Sequence, residues 1–170
     1  MGYGKFGLRL LGTKTLMIIV SLLIMPLMAV FPDNEIFQWL VGVIIILIFW
    51  LVMYADATNY GQSDVKRDNF YPVKGFLSGL IASIPDLILY AAVMALPNIE
   101  WMPYILYGWL APYIKIVISY KPYMPAAAIL LILVFPVLTG LSYLDGPRRR
   151  KKVLETIEKR KALQKELSKR

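Results

Sequence analysis

Four apolar runs dominate the chain, at Thr15 to Phe31, Ile36 to Tyr54, Gly75 to Leu96 and Ala126 to Leu144. Each has roughly the 17–25 residues needed to cross a hydrocarbon core ~30 Å thick. They are continuous, without the alternation of a half-buried strand or of a surface helix, and 58% of the 170 residues are hydrophobic. The predicted fold class is therefore all-α, an integral membrane bundle of four transmembrane helices. At this length the chain is one membrane unit, residues 1–147, followed by a tail, residues 148–170.

Charge sets the expected topology. Arg148 to Arg170 carries 11 Lys and Arg against three Glu, whereas the rest of the chain holds eight of each sign. Four spans with a cytoplasmic N-terminus put Lys5, Arg9, Lys14, Lys66, Arg67, Lys74 and the whole tail on the inner side, and leave Lys115 and Lys121 outside, as the excess of cytoplasmic basic residues requires. The segment Trp101 to Tyr120 holds Pro103, Pro112, Lys115, two Trp and four Tyr, a headgroup-region composition. A fifth span there would separate the two basic ends, so it is predicted to be an outer interfacial or re-entrant helix. Pro32 to Glu35 and Pro97 to Glu100 read as short outer turns, and Ala55 to Val73 as a polar, solvated inner loop. Lys5, Arg9 and Lys14 ahead of an apolar run have the layout of a signal peptide, but no small-x-small cleavage site follows, so this is read as an uncleaved first helix. Phe6 stands where a myristoylation signal at Gly2 needs Ser or Thr.

The absence of Cys excludes disulfides, thiolate metal sites and palmitoylation. The absence of His removes the commonest general base and metal ligand. Nucleophile-elbow, phosphate-loop, EF-hand and intramembrane-protease patterns are all missing, and the spacing of Asp56, Asp64 and Asp68 fits no metal loop. No enzyme, cofactor or metal is expected.

Asp86 is the most informative single residue, because an ionised carboxylate near the centre of a span costs about 2.5–3.5 kcal/mol on insertion scales. Helical spacing sets it on one face with Gly75, Gly79, Ala82 and Tyr90, a close-packing face turned toward a neighbouring helix. The first reading is a protonated Asp hydrogen-bonded within the bundle, loosened by Pro85; the second is a proton or ion site. Lys115 is the one other charge expected at comparable depth. A pair between the two would make a structural lock, while snorkelling to the interface is the expected behaviour of Lys115. The Gly75 and Gly79 spacing is read as packing inside the monomer ahead of a dimer interface.

Gly146-Pro147 is expected to break the fourth span, and a separate tail helix follows with Val153, Leu154, Ile157, Leu163 and Leu167 partly at helical spacing. Arg148, Arg149, Arg150, Lys151 and Lys152 lie directly at the membrane, where anionic lipid binding is worth ~1 kcal/mol per basic residue. The tail lacks the aromatics and the fold of a nucleic-acid reader, so no nucleic acid is expected.

The stretch Gly61-Gln62-Ser63-Asp64, through Lys74-Gly75-Phe76, to Gly79-Leu80-Ile81-Ala82-Ser83-Ile84-Pro85 resembles a segment of small, uncharacterised polytopic membrane proteins of Firmicutes-type bacteria. It covers about a quarter of the chain, and the resemblance implies a bacterial plasma-membrane setting and no activity. The layout of short spans before a basic cytoplasmic end is also similar to that of phage holins. The expected role is a non-enzymatic accessory or scaffold subunit, touching anionic lipid at the cytoplasmic face and a membrane-protein partner or a second copy. The alternative is a small pore or proton-coupled carrier working through Asp86.

Overall fold

A computed structural model describes residues 2–120 and 123–167; Lys121 and the last three residues lie outside them. All its elements are helical. Helix α1 (Tyr3–Ile24) continues through a 3-10 turn to Ala29 and is followed by α2 (Glu35–Lys66) and α3 (Lys74–Ala95). Two short helices, α4 (Met102–Trp109) and α5 (Ile114–Ser119), flank a 3-10 turn at Ala111–Tyr113, and α6 (Met124–Leu167) completes the chain. Among the described residues four helices are long and apolar enough to cross a membrane, as the four apolar runs predict. This is the layout of a multi-pass membrane protein.

Helix α6 packs along both α2 and α3, and α1 closes the bundle against α3 and α2. At one end the start of α1, the last turns of α2, the start of α3 and the Tyr143 region of α6 converge. Residues Lys151 to Lys161 of α6 run on beyond this end, all exposed. At the opposite end α4 and α5 fold back as a helical hairpin, with Leu106, Leu110, Ala111, Tyr113 and Val117 in the core.

Three boundaries differ from the sequence expectation. First, α2 does not stop at Tyr54 but gains three turns, so the solvated inner loop shrinks to Arg67–Val73. Three polar residues of those turns find partners on other helices. Asp56 accepts from Arg9 Nε at 2.9 Å and from Thr13 at 3.0 Å, Thr58 donates to the Ser142 carbonyl at 3.0 Å, and Asp64 is buried. The helix ends only where Asp68 turns left-handed (φ 52°), letting the Asn69 N–H reach the Asp64 carbonyl at 3.0 Å. Second, α1 begins at Tyr3, which moves Lys14 from the flank of the span to its middle.

Third, Pro147 leaves α6 unbroken. An interior proline deprives the carbonyl four residues earlier, here Tyr143, of its helix donor, a loss of about 3 kcal/mol. Gly61 of α2 lies directly against that carbonyl oxygen, and a methyl on Gly146 would approach the Gly61 backbone to 2.6 Å. Two glycines thus bring α2 and α6 into backbone contact where the helical bond is missing, a geometry that admits a Cα–H···O contact.

The same close approach joins α3 to α6. A methyl on Gly79 would come within 2.8 Å of Pro136 Cα, and one on Gly75 would strike the Tyr143 side chain. The small-residue face of α3 is thus occupied inside the monomer. Replacing Gly79 by Leu should lower thermal stability in detergent by about 1–3 kcal/mol, the usual cost of overpacking. Gly12, which has open space around it, should accept Leu with little change. Equal effects at the two positions would show that the α3–α6 seam is not tightly packed.

Candidate functional site

Asp86 sits at mid-height in α3, fully buried, and both carboxylate oxygens are engaged. Oδ2 accepts from Lys14 Nζ of α1, and Oδ1 accepts from Trp109 Nε1 at the tip of the hairpin. The Lys14 ammonium also lies 4.3 Å from the centre of the Phe135 ring of α6. Four elements therefore meet on one neutral pair. Left alone, each charge at this depth costs several kcal/mol; mutual neutralisation, the indole donor and a desolvated cation–π contact of about 2 kcal/mol offset that. Tyr113, at the hairpin turn, packs edge-on against Phe49 at 5.6 Å.

The hairpin reaches Asp86 because its helices break at Leu110 and Pro112, turning the chain inside the bundle. Asp86 lies nine residues before the end of α3, so the Trp109 indole meets it roughly 14 Å from that end at 1.5 Å per residue. Lys115, the partner considered for Asp86, lies elsewhere. Its Nζ donates to Gln38 Oε1 at 3.0 Å and sits 5.4 Å from the centre of the Trp39 ring, in the first turn of α2.

A second buried pair closes the end that bears the tail. Lys74, the first residue of α3, lies 2.6 Å from Asp64 Oδ2, and Tyr143 OH donates to the same oxygen at 2.8 Å. Aromatic rings wall it in: Phe6 stacks on Tyr60 at 3.8 Å, and Phe70 stacks on Tyr143 at 5.0 Å. Asp64 is therefore no part of a solvated acidic loop.

Of the residues singled out from the sequence, Gly75, Gly79, Ala82 and Asp86 do share one buried face, with Tyr90 half-buried at its end. Arg148 to Lys152 stand apart from them, on α6 past Pro147. Lys14, Trp109, Asp64 and Lys74 were missed. A signal for Lys14 existed: Phe6, Leu10, Lys14, Met17 and Ser21 recur at three- and four-residue steps, and all five are buried. Nothing local marks Trp109 as the second donor.

Among the described residues no group of three or more Asp and Glu is placed to hold a metal ion. With both oxygens of Asp86 engaged and its charge paired with Lys14, the cluster ties α1, α3 and the hairpin together. Comparison of the chain with family models, with curated proteins and with solved structures finds no match.

The arrangement predicts strong coupling between Lys14 and Asp86. Lys14→Met or Asp86→Leu alone strands a buried charge and should cost about 3–5 kcal/mol of stability. The double variant should recover most of that loss in detergent unfolding. Additive losses would mean that the two side chains do not depend on each other.

Proposed function

We propose that this chain is a non-enzymatic accessory or scaffold subunit of a bacterial plasma-membrane complex, with both termini in the cytoplasm. The observation that carries the reading is the form of α6. It crosses the bundle and continues as the same helix to Leu167, some 20 residues past Pro147, a rod of roughly 30 Å at 1.5 Å per residue. Val153, Leu154 and Ile157 are each more than 40% exposed on it, set among Lys and Arg; the side chains of Leu163 and Leu167 lie outside the described ones. A rigid, basic helix with an apolar stripe is suited to lie against a partner helix or groove. Its first turns, Arg148 to Lys152, stand at the level of the headgroups and suit anionic lipid. The charge layout supports the orientation, since Lys5, Lys66, Arg67 and the tail all lie at the same end.

A carrier or pore working through Asp86 is the competing reading, and the double engagement of its carboxylate weighs against it. Protonating Asp86 would discharge the carboxylate and leave the buried Lys14 ammonium without its counter-charge. Affinity purification in mild detergent should bring down a stoichiometric second protein, and replacing Val153, Leu154 and Ile157 by Ser should release it while leaving the thermal stability of the bundle unchanged. Solute or ion flux through liposomes holding this protein alone, abolished by Asp86→Asn in a normally folded variant, would establish the carrier instead.

A further inference from the structure

Three lysines are buried among the described residues: Lys14 (5% exposed), Lys74 (2%) and Lys115 (8%). The first two are neutralised by Asp86 and Asp64. Lys115 is not. Among the described residues no carboxylate lies within ion-pairing distance of it; its partners are the neutral Gln38 amide and the face of Trp39. An ammonium removed from water without an anion is the arrangement that folded proteins avoid, so something of opposite charge is wanted there.

The surroundings of Lys115 indicate what. Two clefts, of about 500 and 420 Å³, lie between the end of α1 and the hairpin and share Leu22, Met25, Ile114 and Ile118. The first is also lined by Lys115 and Gln38, and the second by Tyr104 and Tyr107. Leu22 and Ile118 are exposed, so the pair of clefts opens sideways along the apolar surface of the bundle. Gln38 belongs to the first turn of α2, which sets the Lys115 amine within a turn of the helix end. An apolar groove that opens into the hydrocarbon and ends at a buried cation near headgroup level has the shape and polarity of a single lipid.

We propose that this groove binds one anionic phospholipid, its phosphate paired with Lys115 and an acyl chain lying along Leu22, Met25, Ile114 and Ile118. The net negative headgroup supplies the charge that the protein leaves out. Unlike the tail basic cluster, the site lies at the opposite end of the bundle and so draws on the other leaflet. It requires only that the bundle lie in a membrane and is independent of the scaffold role.

Native mass spectrometry of the full chain in mild detergent, after exposure to an equimolar mixture of phosphatidylglycerol and phosphatidylcholine, tests it. The wild-type chain should retain one phosphatidylglycerol in preference to phosphatidylcholine. Lys115→Met should lower that occupancy at least tenfold, and Lys115→Arg should keep it. Ile118→Trp, which fills the cleft from an exposed position, should abolish retention even if Lys115→Met fails to fold. Neutralising Arg148 to Lys152 as Gln should leave the tightly held lipid in place. Wild-type retention in a folded Lys115→Met or in Ile118→Trp, loss confined to the tail variant, or no headgroup preference in the wild type would each overturn the proposal.

Discussion

The pairing of Lys14 with Asp86 is the constraint around which the bundle is arranged. A charge in a medium that cannot hydrate it leaves the chain few options, and here two opposite charges from different helices remove the difficulty for each other. That demand fixes the height of α1 against α3. It also gives the hairpin a role, since the second carboxylate oxygen is capped by Trp109, carried by backbone that enters the bundle and turns within it. Such irregular backbone is tolerated at membrane depth where protein surrounds it, and the hairpin turn is buried against α1 and α2.

The same principle operates at the end that bears the tail. Lys74 and Asp64 neutralise each other inside a wall of aromatic rings, and this pair ties the end of α2 to the start of α3 across a short loop. Between the two ion pairs the helices are drawn together by glycine contacts, where the lack of a side chain lets backbones touch. Polar pairing therefore sets register, and small residues set distance.

The number of spans and the shared face of Gly75, Gly79, Ala82 and Asp86 were legible in the sequence because both depend on patterns within a single helix. The inner loop was not. Asp56, Thr58 and Asp64 look like solvent-facing residues until their partners on α1, α3 and α6 are known, and most of those partners lie far away in sequence. Lys14 was assigned to the flank for a similar reason: a lysine beside an apolar run ordinarily marks the membrane edge, and only a carboxylate on another helix makes mid-depth tolerable. Pro147 signalled a break that α2 overrides by bringing Gly61 against the freed carbonyl. In each case local chemistry was read correctly and a distant contact reversed its meaning.

The separation between Lys14 and Asp86 bears on how the molecule is assembled as it is made. The lysine is synthesised 72 residues before the aspartate, so α1 enters the bilayer while its cation has no counter-charge. The run from Thr15 to Phe31 is long enough to span without Lys14, which can wait at the interface among waters and headgroups. When α3 arrives, α1 can be drawn along its axis until the ammonium meets the carboxylate. The first helix is thus long enough to serve two membrane registers, one with Lys14 at the interface and one with Lys14 against Asp86.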